Sequence, residues 1–261
     1  MVSRRAVVRC LVAALLFGAA TPAASPLASN MGPFALAGLL YLGAALAVLP
    51  ATVIAPPSVR AVQRGAPKLA IAVVVGGAVA PVLLAAGLAR TLAATASLLL
   101  NLELVATVVL AGIVFHEHIG RRIAAGTALV VAGGAILTWS STPELRLGAL
   151  LVVAACGCWA VDNCVTATLD NLAPHHITMA KGLVAGSVNL VLGLLLGGPP
   201  TPGRVIATLG IGALGYGLSI TLWVSGARDL GAARGQLIFA FAPFVGAVTA
   251  WTVLGEPVEG S

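Results

Sequence analysis

Three ionisable side chains sit inside long apolar runs of this 261-residue chain: Glu103 in LLLNLELVATVVL (98–110), Asp162 in CWAVDNCV (158–165) and Lys181 in MAKGLVAG (179–186). An isolated charge in apolar surroundings is costly, so each needs a partner, a proton or a polar visitor. Glu103 has Asn101 beside it and Thr107 one helical turn further on, on the same face. That set can contact a polar solute or hand a proton across a low-dielectric region. The plainer alternative is a hydrogen-bonded glutamate that only ties helices together.

Asp162 and Lys181 pose a geometric question. If one helix ends near Leu169 and the next starts near His176, both charges lie about 8–9 Å from the same end, at 1.5 Å per residue. Helices joined by so short a loop are neighbours, so an Asp162–Lys181 pair is expected, either as a structural ion pair or as part of a substrate or gating site. Trp159 and Thr166 share the Asp162 face, and Asn163 adjoins it.

Other chemistries find little support. His116-Glu117-His118 places its histidines two residues apart on different helix faces, which does not make a zinc site. Cys10, Cys156, Cys158 and Cys164 lie in apolar runs, and Cys156 and Cys158 would splay about 200° apart on a helix. They read as small apolar residues. His175-His176 falls in a loop, as a solvated turn or a pH-responsive one. No polar cluster suited to catalysis, metal or cofactor binding is legible, nor a P-loop, a dinucleotide fingerprint or a nucleic-acid-binding motif. No enzyme, cofactor, metal or nucleic-acid partner is expected.

The elements that carry these residues follow from composition. The chain is 59% hydrophobic and 8% charged, with mean hydropathy +1.07, against about 25% charged residues in soluble domains. Its outer solvent must be lipid. A membrane helix needs about 20 apolar residues, and nine segments qualify: 6–27, 32–54, 69–88, 91–115, 122–140, 147–168, 176–197, 203–224 and 231–254. A barrel would instead alternate polar and apolar residues. The basic, apolar N-terminus also describes a signal peptide, but followed by eight more spans it reads as the first helix.

With the N-terminus in the cytoplasm, the inner side holds Arg4, Arg5, Arg9, Arg60, Arg64, Lys68, Arg121, Arg122, Arg228 and Arg234, and the outer side only Arg90, Arg146 and Arg204. That bias fixes the expected orientation in the cytoplasmic membrane. It puts Glu103 near mid-span, roughly 18 Å from either end of helix four. Gly182 and Gly186 form a GxxxG that suits close helix packing.

Two stretches begin and end alike: ARTLAATASLLLNLELVATVVLAGIVFHE (89–117) and ARDLGAARGQLIFAFAPFVGAVTAWTVLGE (227–256). Arg90 matches Arg228, Leu92 matches Leu230, and Glu117 aligns with Glu256 after a one-residue gap. Arg90 is expected outside and Arg228 inside, so the copies are inverted, as in many secondary transporters. With CWAVDNCVTATLDNLAPHHITMAKGLVAGSVNL (158–190), these stretches resemble the drug/metabolite transporter superfamily, in particular its EamA-like members. The resemblance implies an all-α polytopic bundle of two inverted five-helix repeats, here 1–143 and 144–261, with nine spans present of an expected ten.

The sequence departs from the family pattern at Leu104, where a proline is usual and Pro243 keeps it in the second copy, and at His116, where a glycine precedes the glutamate. The tenth helix is expected to be missing, leaving its place to a partner or a second protomer, as in a homo-oligomer. By resemblance the chain is expected to move small organic metabolites or drugs by alternating access, as an exporter, with proton coupling through Glu103 first and Asp162 second. The competing reading is a non-transporting scaffold or partial subunit. The candidate site comprises Glu103, Asn101, Thr107, Trp159, Asp162, Asn163 and Lys181.

Overall fold

A computed structural model describes residues 4–114, 128–129, 132, 143–166, 168–230 and 238–257. Among them the backbone is helical and antiparallel. Helix α1 spans Arg4–Ala28, α2 Pro33–Ile54 and α3 Val59–Leu88. Helix α4 spans Ala93–Leu99, α5 Asn101–Val114, α6 Pro143–Thr166 and α7 Pro174–Gly197. Helix α8 runs through Pro202–Ile211, Gly212–Leu218 and Ser219–Leu230, and α9 covers Ala242–Val253. Among the described residues, six helices are long and apolar enough to cross a membrane, and two shorter apolar ones accompany them. The chain is a polytopic helical membrane protein.

The spans follow the hydropathy with informative differences. Helix α3 starts ten residues before the expected span, at Val59. Ser58 caps it by accepting the Ala61 N–H, so Arg60, Arg64 and Lys68 ride on a helical turn and not in a loop. Proline opens α2, α7 and α8, where its fixed φ suits a first turn. All of the expected fifth span (122–140) except residues 128, 129 and 132, together with the His116-Glu117-His118 stretch and the turn 231–237, lies outside the described residues.

The fourth span is not one helix. It breaks at Leu100, where the Glu103 N–H bonds the Leu100 carbonyl in a tightened turn. The Asn101 side chain takes the Leu98 carbonyl, competing with the backbone for it. Glu103 therefore sits in the first turn of α5 instead of at the midpoint of a continuous helix. Phe241 makes the matching tightened turn onto Ile238 before α9, close to Pro243.

The turns gather at two faces. On the face of the N-terminus, Arg9 reaches Asp229 at 2.9 Å, and Lys68 Nζ reaches the Thr168 carbonyl at 3.4 Å. On the opposite face, Arg204 donates to the Asn30 carbonyl at 2.9 Å. There, too, both carboxylate oxygens of Glu256 accept backbone N–H groups at the start of α4, from Ala93 and Ala94 at 2.8 Å each. The core between the faces is built from alanines around Leu36, Leu40, Tyr41, Leu84, Leu99, Val152, Trp159 and Tyr216.

Packing repeats with the halves exchanged. Helix α3 lies on α6 and α7, and α8 lies on α1 and α2; α5 lies on α6, and α9 on α1. Both α3 and α8 carry a π-helical stretch at the crossing, Ala72–Val79 and Gly212–Leu218. Helix α7 has a shorter one, Lys181–Ala185, whereas α2 is regular throughout.

Candidate functional site

The π-helical stretch of α3 sets the geometry. Widening the turn moves the Ala80 N–H onto the Val75 carbonyl. The Gly76 carbonyl would then look to residue 81, which is proline and has no N–H. Two side chains supply the missing donors: Tyr41 Oη at 2.8 Å from α2 and Trp159 Nε1 at 3.1 Å from α6. Trp159 Nε1 also lies 3.4 Å from Tyr41 Oη. A buried carbonyl must be satisfied somewhere, and here it becomes the knot joining three helices.

One turn beyond Trp159, Asp162 pairs with Lys181. Lys181 Nζ donates to Asp162 Oδ2 at 2.5 Å, with side-chain exposures of 14% and 6%. Thr166 Oγ1 donates to the other oxygen, Oδ1, at 3.1 Å. Gly76 and Gly77 roof the pair: a Cβ on Gly76 would collide with the Asp162 carboxyl group, and one on Gly77 would press on the Lys181 stem. Only glycine lets the α3 backbone come this near.

Beside the pair, Asn163 turns to α5. Its Nδ2 donates to Glu103 Oε1 at 2.9 Å and lies 3.3 Å from Thr107 Oγ1. Asn163 is exposed, and Glu103 and Thr107 are half-buried, so this trio faces open space where the ion pair does not. The Cys156 thiol meets the Leu99 carbonyl at 3.6 Å, beside the break in helix four.

The seven sequence candidates thus sort into groups. Glu103, Thr107 and Asn163 converge; Asp162 and Lys181 pair next to them through the backbone step 162–163. Trp159 turns its N–H to Gly76 and Tyr41, and the Asn101 amide engages the local Leu98 carbonyl. Sequence reasoning passed over Tyr41, Gly76 and the capping role of Glu256. The run VVVGGAVAP (73–81), with two glycines a helical turn before a proline, is the signal that could have flagged Gly76. Among the described residues, no group of three or more His, Cys, Asp or Glu side chains is arranged to hold a metal ion.

Comparison with known proteins agrees with this architecture. The pattern of the EamA-like transporter family matches twice, over residues 4–139 and 146–261. The chain is also similar to an uncharacterized transporter of Methanothermobacter thermautotrophicus, with 29% identity over 188 residues. That alignment covers 69% of this chain and 55% of the relative, so the chain spans about half the length of the relative it matches. A bundle of apolar helices with ionisable groups at its centre, matched over nearly its whole length, belongs to the EamA-like transporter family.

Proposed function

We propose that this chain moves a small organic solute across the cytoplasmic membrane by alternating access, outward from a cytoplasm that holds its N-terminus. The observation that carries the reading is the convergence of Glu103, Asn163 and Thr107 beside the Asp162–Lys181 pair within an apolar bundle. Ionisable groups at membrane depth mark substrate and ion paths more often than scaffolding. Residues 1–143 and 144–261 act as the two inverted units, and the exchanged packing of α3 and α5 against α8 and α9 supports that division.

In this reading Glu103, Asn163 and Thr107 touch the cargo, and Asn101 sets the break that directs Glu103 toward it. Asp162 and Lys181 hold α6 to α7, while Trp159 walls the site. The basic residues Arg4, Arg5, Arg9, Arg60, Arg64 and Lys68 on one face support the cytoplasmic assignment.

A library of small organic solutes, screened by thermal stabilisation, identifies the cargo. Flux in proteoliposomes under an imposed pH gradient then tests the role of Glu103. Glu103→Gln is expected to lose gradient-driven flux; unchanged rate and pH dependence would remove the proton-carrier role. Wild-type protein that moves no stabilising solute would remove the transport reading itself.

A further inference from the structure

At the face of the N-terminus, one imidazole joins α7 to α2. His176, in the first turn of α7, receives the Ala173 N–H on Nδ1 at 3.2 Å, and its Nε2 lies 2.6 Å from the Ala55 carbonyl. A backbone amide can only donate, so Nδ1 carries no hydrogen. Nε2 therefore holds the ring proton and donates it to Ala55. The ring is the neutral Nε2–H tautomer, and both contacts depend on that state. Each satisfies a backbone group at a helix end, where intrahelical partners run out: Ala173 is the N-cap of α7 and Ala55 the C-cap of α2.

A second proton would sit on Nδ1, facing the Ala173 N–H, donor against donor. The cationic ring would also stand at the positive end of the α7 dipole and near the negative end of α2, two terms of like size that oppose each other. The donor conflict decides, and a ring turned to relieve it gives up Ala55.

The surrounding charges leave this local balance in control. His175 packs edge-on at 4.2 Å between ring centroids. Helix α2 offers no ionisable group except Tyr41, which bonds Gly76. On α7, Lys181 is paired with Asp162; from α8, Asp229 is held by Arg9, and Arg228 precedes it in sequence. From α3, Lys68 donates to the Thr168 carbonyl, Arg60 and Arg64 are exposed, and Asp170 in the loop is exposed.

We propose that His176 is a proton-binding latch: neutral, it fastens α7 to α2 and holds this face shut; protonated, it releases them. What then remains of the closure is the Lys68 contact, Met179 of α7 against Ala45 and Val48 of α2, and the apolar seal of Leu169, Leu172 and Ile177 against Ala61, Val62 and Leu69. The consequence for transport rests on the alternating-access reading, but the latch can be tested without a cargo.

Spin labels at Val53→Cys on α2 and Asn171→Cys just before α7, both exposed, report the separation of the two latched ends in lipid nanodiscs, with Cys158 replaced by serine. As pH falls from about 8 to about 5, the range in which histidine gains charge, the longer-distance population should grow, by up to about tenfold per pH unit. His176→Gln keeps a donor for Ala55 but cannot take the proton, so its distances should stay short and flat with pH. His176→Asn keeps only the acceptor for Ala173 and should be open at every pH. It carries the test if the glutamine variant fails to fold. Distances in the unaltered protein that ignore pH, or a glutamine variant that follows the unaltered curve, would overturn the latch. Solute flux together with pH-insensitive distances sinks the latch and spares transport; a pH-driven opening with no flux for any solute does the reverse.

Discussion

Asn163 on α6 donates to Glu103 on α5 at 2.9 Å, and this one hydrogen bond ties the carboxylate of the fourth span to the step of backbone that also bears Asp162. It makes the two polar groups neighbours although they come from different halves of the sequence. In the proposed function, a solute or proton bound at Glu103 would be felt next to the Asp162–Lys181 pair.

Asn163→Leu should therefore weaken solute binding without unfolding the protein. A hydrogen bond to a charged group contributes about 1.5–3 kcal/mol, so affinity measured by titration calorimetry should drop by about tenfold to a hundredfold. Asn163→Leu binding as well as the unaltered protein would take Asn163 out of the site.

For the ion pair, removing one partner strands a buried charge. Asp162→Asn and Lys181→Met should each destabilise by about 3–5 kcal/mol, while the double variant recovers most of that loss. Denaturation in mild detergent measures all three, and additive losses would deny the coupling.

Gly76 leaves no room for a side chain against Asp162. Gly76→Ala should lower thermal stability sharply, because the colliding atoms belong to an ion-paired carboxylate that cannot simply swing aside. Tyr41→Phe should cost less, about 1 kcal/mol, since Trp159 still serves the Gly76 carbonyl. Tyr41→Phe with Trp159→Phe leaves that carbonyl bare, and the pair should lose more than the sum. Hydrogen exchange at the α3 amides around Ala80 reports the loosening directly.

Glu256→Ala removes both acceptors at the start of α4, a cap contribution of about 0.5–2 kcal/mol. Glu256→Gln keeps one acceptor oxygen and should fall between. Faster exchange of the Ala93 and Ala94 amides, with the rest of the bundle unchanged, is the expected signature. Unaltered exchange in the alanine variant would deny Glu256 the capping role.

Much of this arrangement was legible in the residues. Lipid demands runs of about 20 apolar residues, so α1, α2, α6 and α7 could be placed within a few positions, while α3 begins ten residues early and the fourth span divides in two. A short loop sufficed to bring Asp162 level with Lys181. The break at Leu100 was not legible: every residue there suits an apolar helix, and only the fold shows Asn101 spending its amide on Leu98. The π-helical stretch of α3 was hidden for a related reason. Its stability comes from donors on α2 and α6, far away in sequence. Glu256 was visible as the end of a repeat, but its capping role needs the start of α4 beside it.

The pairing of Asp162 with Lys181 has an electrical consequence. Each elementary charge driven through the membrane field exchanges about 2.3 kcal/mol per 100 mV. Two opposite charges that travel together exchange none, so α6 and α7 can rearrange without sensing the potential. In the proposed transport cycle the pair would therefore add nothing to the transient charge movements of the protein, which leaves Glu103 as the group in the candidate site whose displacement they would register.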